Sequence, residues 1–216
     1  MRRALTIPAL VGLAGLCLLP QALSAAKVEG GVKFGVNIAF IEGLDVRRFL
    51  SGGGEYDWFM RFGLCGGGFL ALPVSEYVAF QAEAQITTKG SHQVGPLFEE
   101  SWPYSLKITY LEIPVLVRVT TRPIKKNFQL VFMAGPAPAF KLGSRLLLSK
   151  ERLDYDGVRS SDLGFVLSVG YTITSKKSRG YTEFRYTAGL SRIIEEEGVP
   201  LQIRNGVVSL IVGVRL

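Results

Sequence analysis

Few side chains in this sequence could perform chemistry by themselves. A single histidine, His92, and two cysteines occur in 216 residues, which is too few for a zinc site built from His and Cys clusters. Ser91 and His92 precede the acids Glu99 and Glu100, and these are the residue types of a Ser-His-acid triad. A triad is defined by geometry rather than by closeness in sequence. We therefore predict no catalytic residue, no metal site and no cofactor.

A larger set of charged side chains alternates with apolar ones along extended segments. In residues 77–90, Phe80 and Ile86 share one face with small apolar residues, whereas Gln81, Glu83 and Gln85 share the other. Successive side chains of a β-strand point to opposite faces, so this segment is a strand with one apolar and one polar face. In a soluble sheet the apolar face packs inward, but in a membrane barrel it faces lipid.

About eight such segments must position these side chains. They are residues 32–40, 58–65, 77–90, 110–119, 127–140, 161–174, 180–190 and 207–216. The connections alternate in length, with long ones at residues 41–56, 91–104, 141–160 and 191–205 and short turns at "LPVSE", "TRPIKK" and "SKKSRG". This alternation puts every long connection at one end, as in outer-membrane barrels with short periplasmic turns. Pro114 lies inside one segment, where we predict a bulge or bend because proline cannot donate to the ladder.

The polar faces together predict a lumen lined by paired charges. An eight-stranded barrel has an interior only wide enough for side chains to fill it, and a charge buried there needs a partner. Basic and acidic residues on the polar faces nearly balance, so we expect a filled lumen rather than a general diffusion pore. The predicted charge network consists of Lys33, Arg61, Glu83, Glu112, Arg118, Asp162, Glu183, Arg185 and Arg215.

The first 26 residues have the order of a secretory signal peptide. Arg2 and Arg3 precede an apolar stretch that ends in Pro20 and small residues, so we predict cleavage after Ala26, with Ser24 as the second choice. Residues 27–216 then form the barrel domain. Removal of the two arginines lowers the formal charge from +7 to +5. No run of basic residues is interleaved with aromatic ones, so nucleic acid is not expected as a partner.

The order of the strand segments carries a resemblance to a known family. The segments "GVKFGVN", "FQAEAQITTKG", "YLEIPVLVR", "MAGPAPAF", "DLGFVLSVG", "FRYTAGL" and "SLIVGVRL" span nearly the whole mature chain. Their order resembles the bacterial outer-membrane β-barrel domain family that includes PorT-like proteins. The resemblance implies an all-β, eight-stranded, antiparallel up-and-down transmembrane β-barrel, similar in size to OmpX and OmpW types. It implies insertion into outer-membrane lipid by the barrel-assembly machinery, and no particular activity.

Three functions stay open for such a barrel: surface binding through the long loops, a small-solute or hydrophobic-compound channel, and a lipid-modifying enzyme or secretion accessory. An apolar run in the third long loop, formed by Leu146, Leu147 and Leu148 and followed by Tyr155, favours loop contact with an extracellular ligand or protein. The same run is also compatible with a strand that extends beyond the membrane. We expect the loops around Gly53, His92, Tyr155 and Glu196 outside the cell, and the turns near Pro73, Pro123 and Lys177 in the periplasm.

Overall fold

The computed structural model describes residues 28–42, 57–94, 104–124, 127–148, 151–154, 157–174, 179–193 and 204–216. None of these residues belongs to a helix long and apolar enough to cross a membrane. The predicted signal peptide lies outside the described residues. The strands are β1 (Glu29–Glu42), β2 (Asp57–Pro73), β3 (Val78–Val94), β4 (Tyr104–Glu112), β5 (Val115–Thr120), β6 (Phe128–Leu148), β7 (Glu151–Asp154), β8 (Ser161–Thr174), β9 (Arg179–Gly189) and β10 (Arg204–Arg215).

The strands close into an antiparallel barrel with eight wall positions. Each wall strand pairs with its neighbours in the chain, and β10 closes the ring by pairing with β1 from Gly31↔Arg215 to Glu42↔Arg204. β4 and β5 together fill one wall position between β3 and β6, while β7 pairs with β6 alone. A closed barrel leaves no wall strand with an unpaired edge. The predicted all-β, eight-stranded up-and-down barrel is confirmed.

The two faces of the wall follow the alternation in the sequence. Large apolar side chains point outward, and Phe34, Phe62 and Leu210 keep 56%, 79% and 52% of their surface exposed. Polar side chains at the intervening positions point inward, including Gln81, whose exposed fraction is 3%. An apolar exterior with a polar interior is the arrangement that lipid around a barrel requires. The polar face of the 77–90 segment therefore lines the lumen, as predicted.

Pro114 interrupts the wall strand without shifting its register. The pairs Glu112↔Ala139 and Val117↔Ala134 on either side of it belong to one continuous register with β6. The N–H of Glu83 donates to the Pro114 carbonyl oxygen at 2.9 Å, but Pro114 has no N–H to return. Of the predicted bulge or bend at this proline, the bulge is wrong, because the ladder loses a donor and keeps its alignment.

A bulge occurs instead where β6 leaves the apolar band. Thr109 pairs with Gly143 while Tyr110 pairs with Lys141, so Leu142 has no partner on β4. One extra residue reverses which side chains face inward. Beyond this point Ser144 is buried and Arg145 is exposed.

Several strands continue past the apolar band at the end with the long connections. β6 runs on to Leu148, where it pairs with Tyr104 of β4, and it turns back into β7 through the pair Leu148↔Glu151. The prediction of a loop over residues 141–160 is therefore wrong over residues 141–148, and the alternative, that the leucine run extends the strand, is confirmed there. Likewise, β3 extends to Val94 rather than ending at Gly90. The described parts of β3, β4, β6 and β7 thus form a β-sheet extension on one side of the barrel.

Candidate functional site in the barrel lumen

The middle of the lumen is crossed by ion pairs between opposite walls. Arg185 of β9 donates from Nη1 and Nη2 to the two carboxylate oxygens of Glu83 on β3, at 2.8 and 3.0 Å. β3 and β9 are four positions apart in a ring of eight, so this bidentate pair spans the diameter of the barrel. Arg185 Nε also donates to Glu183. A planar guanidinium that satisfies two carboxylates in this way is held in a single geometry.

Lys33 and Gln81 complete this central cluster. Lys33 Nζ of β1 contacts Glu83, and Gln81 Nε2 donates to Glu83 Oε1 at 2.8 Å. The side chains of Lys33, Glu83, Glu183 and Arg185 are at most 1% exposed. Two basic groups face two carboxylates, so the cluster is neutral and its charges are compensated where water does not reach them.

A second cluster lies closer to the long connections. Lys89 Nζ is 2.6 Å from Glu112 and 3.3 Å from Asp162, and its ammonium group lies 5.1 Å from the centre of the Tyr110 ring. Asn205 Nδ2 donates to Asp162 at 3.0 Å. One lysine here faces two carboxylates, so this cluster carries an acidic excess.

A third cluster lies at the end of the barrel with the short turns. Arg118 and Arg215 both contact the Glu29 carboxylate, at 3.2 and 2.9 Å, and Arg179 approaches it at 3.6 Å. Three guanidinium groups thus share one carboxylate. This cluster lines a cavity of about 230 Å³ that opens at the short-turn end.

Apolar side chains fill the lumen beside the charged ones. A buried apolar cluster is formed by side chains of β5, β6 and β8, namely Leu116, Val131, Met133, Ala137 and Val166. They fill the lumen next to the ion pairs that cross it between β1, β3 and β9. Side chains rather than an open channel therefore occupy the lumen at the level of Arg185, as expected for a barrel of eight strands.

The structure brings together most of the residues predicted for the charge network, in three clusters rather than one. Arg61 is the exception, since it lies near the long-connection end and donates from Nη1 to Ser105 Oγ at 2.6 Å. Leu146 is a partly buried strand residue, Leu147 and Leu148 belong to the same strand, and Tyr155 lies outside the described residues. Their role in contacting a partner stays a prediction.

The residues considered for a triad do not form a described site. The Ser91 side chain is buried at 6% exposure and His92 belongs to β3, paired with Phe59 and Ser105. Glu99 and Glu100 lie outside the described residues. Within the described part of the chain, no group of three or more His, Cys, Asp and Glu side chains could hold a metal ion.

Sequence reasoning missed Lys89, Glu29 and Arg179. Lys89 has the same parity along its strand as Glu83 and Gln85, so its inward direction could have been read from the alternation. Glu29 and Arg179 stand at the first residues of β1 and β9, where no alternation precedes them. A pattern with a period of two identifies strand interiors better than strand ends.

A closed barrel with a lipid-type exterior and a polar, ion-paired interior defines a transmembrane β-barrel of the outer-membrane class. The family model for the outer membrane protein β-barrel domain matches residues 21–195, and this chain belongs to that family. It is accordingly a protein of the bacterial outer membrane, in contact with membrane lipid. Members of the family are mostly non-enzymatic barrels. No curated protein sequence matches the chain.

The chain is similar to several solved structures of outer-membrane proteins. The neisserial surface protein A structure is 10% identical with a TM-score of 0.50, covering 88% of this chain and 98% of its own. Ail, the attachment invasion locus protein of Yersinia pestis, is 12% identical with a TM-score of 0.44, covering 88% and 99%. OprG from Pseudomonas aeruginosa is 11% identical with a TM-score of 0.44, covering 88% and 94%. At such identities the likeness concerns the fold alone.

Proposed function

We propose that this protein is a closed, non-enzymatic barrel that anchors a binding surface, built from its long connections, on the outside of the cell. The observation that carries the proposal is the bidentate pair between Arg185 and Glu83, which joins opposite walls of the lumen. A barrel crossed by buried ion pairs serves as a rigid support rather than as a path for solutes. The functional surface then lies outside the membrane band, on the connections.

The asymmetry between the two ends supports this assignment. Three short connections, of residues 74–77, 121–127 and 175–178, join strands at one end, while the sheet extension of β6 and β7 stands at the other. Extended strands give the adjoining connections a firm base, which lowers the conformational entropy lost when a partner binds. Leu146, Leu147, Leu148 and Tyr155 remain the candidate contact residues, because an apolar run in a long connection is typical of a contact site.

Orientation is the first requirement of this function, and cysteine labelling tests it. In a Cys65→Ser background, single cysteines replace Gly53, Tyr155 or Glu196 in the long connections, and Pro123 or Lys177 in the short turns. A membrane-impermeant maleimide added to intact cells should label the first set and spare the second. After the cells are opened, both sets should react, which controls for accessibility.

The opposite labelling pattern would contradict the proposal. If intact cells label Pro123→Cys and Lys177→Cys but not the long connections, the connections face the periplasm and cannot meet an extracellular partner. Gel mobility with and without heating checks that each variant forms a barrel.

A further inference from the structure

The cavity at the short-turn end combines excess positive charge with an open mouth. Arg118, Arg179 and Arg215 line it together with the Glu29 carboxylate, and hydroxyl and amide groups of Thr120, Thr172 and Gln129 complete the polar wall. Its volume is about 230 Å³, whereas about 10–15 Å³ of such space suffices for one water molecule. The cavity therefore has room for a small hydrated ligand.

The guanidinium groups in this cavity are not neutralised by their protein partners. Glu29 accepts from Arg215 Nη1 at 2.9 Å and from Arg118 Nη2 at 3.2 Å, and Arg179 Nη1 lies 3.6 Å away. One negative charge thus faces three positive ones. Glu76 also lines the cavity, but it is exposed and its charge is screened by water.

The two inner arginines also keep unused donors. The Nε atoms of Arg118 and Arg215 are buried and have no hydrogen-bond partner among the described residues. The side chains themselves are only 11% and 13% exposed, so bulk water solvates them poorly. Because these Nε atoms are shielded from solvent, an anion in the cavity would be bound by the Nη groups instead. The poorly solvated positive charge of both arginines is what favours an anion there.

We infer that this cavity binds a phosphate group. The two inner arginines keep one positive charge after Glu29 is counted, the exposed Arg179 adds a second, water-screened one, and phosphate near neutral pH carries a charge between one and two. Arginine binds phosphate oxygens through paired N–H groups, and several arginines around one tetrahedral anion satisfy it from different directions. Free phosphate and the headgroup of an anionic phospholipid share this chemistry, and both can reach an open mouth at the edge of a membrane barrel.

Binding of inorganic phosphate to the full barrel tests the inference. The protein is placed in phosphatidylcholine nanodiscs in a chloride buffer of low ionic strength and titrated with phosphate by calorimetry. We expect saturable binding with one site, weakened about tenfold in Arg215→Gln through the loss of one charge-assisted hydrogen bond. Glu29→Gln should bind phosphate more tightly than the wild type, because it removes the competing carboxylate. Arg179→Gln, whose side chain is 53% exposed, serves as a second variant that perturbs the buried cluster least.

Matched controls distinguish phosphate binding at this cavity from nonspecific attraction of phosphate by the positive charge of the protein. Arg122→Gln removes one positive charge from an exposed arginine at the same end of the barrel that does not line the cavity, and it should bind phosphate like the wild type. In nanodiscs that contain phosphatidylglycerol, loss of phosphate binding identifies the lipid headgroup as the occupant, and unchanged binding identifies the free anion. Absence of saturable phosphate binding in phosphatidylcholine nanodiscs, or an equal loss in Arg122→Gln and Arg215→Gln, would overturn the inference.

Discussion

At the scale of single residues, Arg185 determines how the interior is held together. Its guanidinium group donates to Glu83 on the opposite wall and to Glu183 on its own strand. Lys33 supplies the second positive charge, which makes the cluster of two carboxylates and two basic groups neutral. Such a cluster is stable as a unit, because each member compensates a charge that would otherwise be buried alone.

Removal of either partner of the central pair should destabilise the barrel. We expect Glu83→Ala or Arg185→Ala to lower the free energy of unfolding by roughly 3–5 kcal/mol, since each change leaves an uncompensated charge in the lumen. Urea unfolding in lipid vesicles, followed by tryptophan fluorescence, measures the effect. The double variant should lose less than the sum of the two single changes, because the two residues share one interaction.

The exposed Arg192 supplies the control for this experiment, and Arg192→Ala should change stability by less than about 0.5 kcal/mol. Single variants at Glu83 and Arg185 that unfold like the wild type would mean that the pair is solvated or absent.

The sequence predicted which charged side chains point into the lumen better than it predicted which of them form ion pairs with each other. Parity along a strand decides whether a side chain points inward, which is why Glu83 and Arg185 could be found from the alternation. Which inward charges meet depends on the ring position and on the relative height of the strands. Glu83 and Arg185 are 102 residues apart in the chain, and only closure of the barrel sets them face to face.

At the scale of elements, close approach of strands explains particular glycines in the wall. A Cβ atom on Gly67 of β2 would lie 2.0 Å from the carbonyl oxygen of Ala84 and 2.6 Å from the Cα atom of Gln85, both on β3. Both atoms belong to the backbone, so they cannot move aside without disturbing the ladder. The inward position of Gly67 therefore requires the absence of a side chain.

Substitution of Gly67 should impair assembly of the barrel. We expect Gly67→Ala to reduce the fraction of protein that runs as the compact, unheated form on a gel, because the β2–β3 ladder has to shift to admit the methyl group. Gly143→Ala is the matched control, since a Cβ atom there meets nothing within 4 Å. Equal folding yields for the two variants would show that the wall has more room at Gly67 than its geometry indicates.

The extension of β6 shows where the two-residue alternation no longer predicts a strand. Alternation holds from Phe128 to Lys141, but the unpaired Leu142 reverses its phase, and a run of three leucines follows. Read without the bulge, this stretch has no strand period and resembles a loop. Pro114 gives the opposite error. A proline inside a strand pattern predicts a bulge or bend, yet the strand keeps the same pairing register on both sides of it.

At the scale of the whole molecule, charge is distributed unevenly along the lumen. An acidic excess around Lys89 lies towards the long connections, a neutral cluster occupies the middle, and a basic excess around Glu29 lies at the short-turn end. Over the three clusters six basic groups face five carboxylates, which is close to the balance expected from the sequence, but only the central cluster is neutral by itself. Alternation and connection length were enough to predict the closed barrel, whereas this gradient depends on the end residues of strands, which those patterns do not cover.

The ionic current through the reconstituted protein tests the central claim, a filled lumen, most directly. Purified barrel inserted into a planar lipid bilayer in potassium chloride should show little or no open-channel current, because the Arg185–Glu83 pair and the apolar side chains beside it occupy the interior. The double variant Glu83→Ala/Arg185→Ala removes this crossing and should conduct more than the wild type if it still folds. A large, stable, ohmic current through the wild-type protein would contradict the claim and identify the barrel as a small-solute channel.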